Sequence, residues 1–134
     1  MKYPKSIITL LVFTLLFTSL LFMGCPLPPP PPEALIGKWA AVGYSSGVAV
    51  ITFNADGTLV VKEIEKERRG IYEVAFSKDP AWLDIIMEPI GQEQRGEYII
   101  KFNNYNEIII AGGHGIPRPV SFGNYYMTFQ RLAE

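Results

Sequence analysis

The side chains able to do chemistry are few in this chain, and their spacing argues against most of it. There is one histidine, His114, and one cysteine, Cys25. A zinc-type centre needs a cluster of His and Cys ligands at short, regular spacing, so neither metal nor cofactor is expected. A serine triad would need His114 beside Ser121 or a more distant serine, with an acid behind it. The spacing supplies no such set, and no catalytic residue is expected. Asp84 and Glu88 would lie on one face of a strand, about 13 Å apart, too far for concerted acid and base work. The glycines at 112, 113 and 115 follow a strand-like segment and open no helix, so they do not make a phosphate loop. The charged run 62–69 nearly cancels in sign and reads as an exposed hairpin end. Cys25 is the one chemically pointed residue left.

Its context is an address. Lys2 and Lys5 precede a run, residues 6–23, of Ile, Leu, Val, Phe, Met, Thr and Ser, and no charged residue occurs again before Glu33. That is the layout of a secretory signal, although an uncleaved spanning anchor also needs about 20 apolar residues. The segment Leu21-Phe22-Met23-Gly24-Cys25 resembles the bacterial lipobox. The resemblance implies a signal peptide over residues 1–24, cleavage before Cys25, and a lipidated Cys25 carrying acyl chains such as palmitate. Two or three chains would hold firmly, since each buried methylene contributes roughly 0.8 kcal/mol. The membrane is thus an expected partner through Cys25, and the expected location is the cell envelope, on its periplasmic or extracellular face. Residues 25–33 include five consecutive prolines, which favour polyproline II. They read as a spacer of roughly 20 Å, the alternative being a ligand for a proline-recognising groove.

Residues 34–134 have the pattern of an all-β domain: apolar runs of five to eight residues separated by turn residues. Strands are expected over 48–53, 58–65, 71–76, 82–88, 95–102, 107–111 and 125–132, with an eighth if 38–44 pairs. Asp56-Gly57 supplies a tight hairpin turn. Gly70 is expected to punctuate two strands, 89–94 to form a polar turn, and 112–119 to lie outside regular structure. Short sequential connections favour antiparallel neighbours, and closure removes the exposed edges. The expected fold is a small antiparallel up-and-down β-barrel of seven to eight strands.

Gly37-Lys38-Trp39 before the first strand, with Arg131 in the last, resembles the lipocalin and wider calycin barrels. The resemblance implies that Trp39 plugs the closed end and that Arg131 packs across its ring, so that Gly37, Trp39 and Arg131 are structural. The order Gly37, Trp39, Thr52-Phe53, Asp56-Gly57, Pro80, Leu83-Asp84-Ile85, Gly96, Tyr98, Ile108-Ile109-Ile110, Arg118-Pro119, Phe122 and Arg131 is also similar to an uncharacterised family of small exported lipocalin-like domains first noted in planctomycetes. That family carries no settled activity.

Of 12 basic and 13 acidic residues, Lys2 and Lys5 would leave with the leader, giving a net charge of −3. A nucleic-acid partner would want the opposite sign. Two function classes remain, both without catalysis. In the first, a barrel interior lined by Tyr72, Val74, Phe76, Ile100 and Phe102 binds a small apolar or amphipathic ligand, with Trp82 as its fluorescent reporter. In the second, the barrel is filled by its own side chains and its loops face a protein partner in the envelope. An eight-stranded barrel is just wide enough for either.

Overall fold

The computed structural model describes residues 30–43, 48–89 and 95–133. The leader, Cys25 and most of the turn expected over 89–94 lie outside these. A 3-10 turn, Pro32–Leu35, leads into eight strands: β1 (Gly37–Val42), β2 (Val48–Phe53), β3 (Thr58–Glu63), β4 (Glu67–Ala75), β5 (Ala81–Met87), β6 (Arg95–Asn104), β7 (Glu107–His114) and β8 (Met127–Arg131). Every neighbour pair is antiparallel, and β8 pairs back onto β1 to close the barrel. The expected all-β barrel is the fold, and the segment after Gly37 supplies its eighth strand.

Alternation along the strands decides what the barrel contains. Trp39, Ile51, Phe53, Leu59, Val61, Leu83, Ile85, Met87, Ile100, Ile108, Ile110 and Phe129 form one buried cluster. In β5 the inward Leu83, Ile85 and Met87 alternate with the outward Trp82, Asp84 and Ile86. Trp39, Phe53, Leu83, Ile108 and Phe129 are each no more than 1% exposed, so side chains fill the middle of the barrel. Among the described residues no polar or charged side chain is fully buried.

The β2–β3 hairpin turns on Asn54 to Gly57. The Thr58 hydroxyl and backbone N–H both donate to the Asp56 carboxylate, at 2.6 and 3.0 Å, and hold its pKa below the usual carboxylate range. Tyr72 from β4 donates its hydroxyl to the Asn54 carbonyl at 2.8 Å and sets its ring against Phe53. The charged run does form a hairpin end, where Glu63 meets Lys66 at 3.3 Å and Arg68 at 3.8 Å.

Two glycines expected to end strands lie inside them instead. Gly70 sits within β4, opposite Met87, and a Cβ there would collide with the Ile86 carbonyl oxygen. Gly112 sits within β7 at φ +128°, and a Cβ there would collide with the Glu97 carbonyl oxygen. In both places neighbouring backbones approach too closely for any side chain, the close-approach use of a strand glycine. Gly112→Ala is therefore expected to cost roughly 1–3 kcal/mol, read as a lower urea midpoint; an unchanged midpoint would mean that the strands there can part without cost.

Candidate functional site

Three places carry more than ordinary packing: the end of the barrel at the 3-10 turn, an outer face under the β7–β8 connection, and a recess between β5 and β6.

At the first, Trp39 donates its indole N–H to the Leu35 carbonyl at 2.8 Å. The Arg131 guanidinium lies 4.2 Å from the Trp39 ring centroid and 4.6 Å from that of Tyr105. It also donates to the carbonyls of Ala34 and Ile36. One side chain thus ties the 3-10 turn to the last strand. Gly37 has φ +130°, and a Cβ there would stand 3.1 Å from Arg131 Nη1. The Gly-x-Trp spacing has a local reason: the glycine lets the chain bend under the arginine that covers the tryptophan.

The outer face has no counterpart among the sequence-based expectations. By register Ile99, Ile109 and Ala111 point away from the central cluster, yet they are 0%, 8% and 4% exposed. Segment 115–126 is fastened across this side. Arg118 donates to the Tyr98 carbonyl at 2.7 Å and to the Asp84 carboxylate, whose other oxygen accepts from Arg95. The Arg118 guanidinium also lies 4.6 Å from the Trp82 ring centroid, and Lys78 Nζ lies 4.9 Å from it. Asp84 is thus the anchor of a surface strap, engaged by two arginines. The signal in the sequence is the unbroken run Ile108 to Ala111, since a strand apolar on both faces is covered on both. Trp82 points outward and is 42% exposed. It reports on the strap, while Trp39 is the tryptophan of the interior.

The recess follows from unequal strand lengths. β5 starts opposite Ile100, whereas β6 continues to Asn104, so the wall beyond Ala81 lacks a strand. A cavity of about 600 Å³ opens there, lined by Phe76, Ala81, Ile100 and Phe102 from the barrel, by Val120 and Phe122 from the strap, and by Pro30 from the incoming chain. Lys78, Lys101 and Asp79 supply its charged rim. Phe76 and Phe102 meet with ring centroids 5.8 Å apart, and Phe102 stands edge-on to Trp39 at 6.0 Å.

No family model, curated protein or solved structure matches the chain.

Of the five side chains expected to face a ligand, Phe76, Ile100 and Phe102 line the recess. Tyr72 and Val74 pack against the central cluster and do not. Pro30, Val120 and Phe122 join them unexpectedly, because only the path of the strap and of the incoming chain brings them to β6. His114 ends β7, exposed, and Ser121 is exposed beside the recess. Among the described residues no group of three or more His, Cys, Asp and Glu is placed to hold a metal ion.

Burial pushes the pKa of Tyr98 above its ordinary value, with Arg68 opposing, and burial together with the nearby Asp56 charge raises that of Tyr72. The unfolded tyrosines ionise first, near pH 10. The contribution of these two groups is therefore whole below about pH 10 and is lost as pH rises through their folded values. The thermal midpoint is expected to fall above about pH 10, with tyrosinate absorbance recorded alongside it; a midpoint rising there would contradict the assignment.

Proposed function

We propose that the chain is an exported lipoprotein, held to a membrane through Cys25, whose β-barrel domain binds a small apolar or amphipathic molecule without transforming it. The observation that carries the binding reading is the recess of about 600 Å³, walled by Phe76, Ile100, Phe102 and Phe122. This is within the range of small-molecule sites, which are concave, mostly apolar and rimmed by a few polar groups. The ligand in this reading sits at the end of the barrel, because Trp39, Phe53, Leu83, Ile108 and Phe129 occupy the middle. The resemblance to small exported lipocalin-like domains agrees with an eight-stranded closed barrel. The anchoring half rests on the sequence around Cys25, with the polyproline spacer behind it.

Native mass spectrometry of the full-length chain released from detergent tests the binding half. A bound molecule of defined mass is expected, and it should be lost in Val120→Asp, an 89% exposed position where the fold is not at risk. Spectra that remain empty across preparations would leave the second reading, which the filled centre favours: a packed barrel acting through its surface on a protein partner of the envelope. Cys25→Ser tests the anchoring half. Loss of acyl labelling and accumulation of a precursor retaining residues 1–24 are expected; unchanged processing would sink it.

A further inference from the structure

We propose that the occupant of the recess is an acyl chain of an anionic lipid from the same membrane that holds Cys25. The inference rests on the binding and anchoring readings above and adds where the ligand comes from and what head it carries.

The first ground is reach. Pro30 lies on the wall of the recess, and it is only five residues after Cys25. Five residues span at most about 18 Å fully extended, and roughly 16 Å as polyproline II. A ten-residue strand such as β6 is about 33 Å long. The tether is thus shorter than the barrel. A lipidated Cys25 therefore holds the recess end of the molecule toward the bilayer, within reach of its polar layer, roughly 5–7 Å thick on each side.

The second ground is what that end presents. Val120 is 89% exposed and lines the recess together with Phe122. Arg118 is the strap's one charged side chain, and it is turned inward onto Asp84. An exposed aliphatic side chain beside a half-buried phenylalanine gains free energy by entering the apolar edge of a bilayer. Inside, Phe76, Ile100 and Phe102 offer an apolar wall continuous with the core. At the rim, two exposed lysines, Lys101 and Lys78, the second with its ammonium over the neighbouring Trp82 ring, outnumber the single carboxylate of Asp79. An apolar floor under a net positive rim fits an acyl chain with a phosphate at its head, and a lysine serves phosphate as a point charge.

The test is photo-crosslinking of the processed, lipidated chain in phosphatidylcholine vesicles. These are doped with either phosphatidylglycerol or phosphatidylcholine carrying a diazirine on the acyl chain, and the labelled peptides are mapped by mass spectrometry. Phosphatidylglycerol is expected to label the peptides holding Phe76, Phe102 and Phe122. Lys78→Glu combined with Lys101→Glu, both exposed, should lower that labelling by roughly five- to tenfold and leave phosphatidylcholine labelling unchanged. Val120→Asp should lower labelling by both lipids. Equal labelling by the two lipids, unaffected by the lysine changes, overturns the anionic head while the binding reading stands. Labelling absent from these peptides, with a small-molecule adduct still seen by native mass spectrometry, overturns the membrane as the source. Absence of both label and adduct overturns the binding reading itself.

Discussion

Trp39→Ala is expected to lower the stability of the domain by roughly 3–5 kcal/mol, more than truncation of any other side chain at this end of the barrel. Four costs coincide at this position. The indole is fully buried, so its removal forfeits the transfer free energy of a large aromatic. It also leaves a cavity between strands that hydrogen bonding holds in place. The Leu35 carbonyl loses its donor. The Arg131 guanidinium loses the ring face it covers at 4.2 Å, a contact worth about 0.5–2 kcal/mol. For a domain of about a hundred residues such a loss corresponds to a fall in thermal midpoint of roughly 15–30 °C. Trp39→Phe keeps most of the area and loses the N–H, and should cost roughly 1–2 kcal/mol. Arg131→Lys removes the planar fork that reaches Ala34 and Ile36 while lying on the ring, and should cost about as much, since an ammonium cannot stack and bridge at once. Urea unfolding followed by circular dichroism measures all three. A Trp39→Ala protein within about 1 kcal/mol of its parent would show that the barrel end does not depend on this plug.

What can be read from the sequence divides along the range of the interactions. The strands are legible because each alternates in its own sequence: Leu83, Ile85 and Met87 against Trp82, Asp84 and Ile86 need no knowledge of the rest of the chain. Closure is legible from the number of strands and the shortness of their connections. Gly70 and Gly112 mislead because a glycine signals a break when the chain turns and also when a neighbouring strand presses against it, and only the neighbour distinguishes the two. In this barrel the neighbours are the carbonyls of Ile86 and Glu97, the second 15 residues away in sequence. The recess is half legible. Phe76, Ile100 and Phe102 belong to strands with clear inward faces, whereas Val120, Phe122 and Pro30 arrive by a loop and a leading segment whose paths no periodicity encodes. Asp84 is the least legible of all. Sequence spacing excludes Glu88 as its partner but names no other, and its actual partners stand 11 and 34 residues away.

Those partners make Asp84 the second position where a small change should have a large effect. Asp84→Asn is expected to cost roughly 2–3 kcal/mol. Breaking a wholly buried ion pair costs about 3–5 kcal/mol, and the figure is reduced for this site because the carboxylate is 15%, Arg118 14% and Arg95 32% exposed at the side chain. The loss should be local before it is global. Arg118 is the element that binds the strap to Asp84, to the Tyr98 carbonyl and to the Trp82 ring. With the carboxylate neutral, two cations share a site with one distant acid, Glu97 at 3.8 Å from Arg118, and the strap should lift from the face it covers. Trp82 reports this directly, since the only other tryptophan, Trp39, is fully buried. Acrylamide quenching should rise in Asp84→Asn and in Arg118→Gln, with faster hydrogen exchange near Ile99 and Ala111, while the barrel's circular dichroism is kept below the unfolding transition. If the two act as one clamp, the double variant should cost clearly less than the sum of the single changes, with a coupling of at least about 1 kcal/mol. Additive costs, or quenching that does not change, would mean that the apolar cover over Ile99 and Ala111 holds the strap without the ion pair. Because the strap also supplies Val120 and Phe122 to the recess, a lifted strap should open that wall as well, and under the proposed binding function the adduct seen by native mass spectrometry should be lost in Asp84→Asn, joining the outer clamp to the recess through one loop.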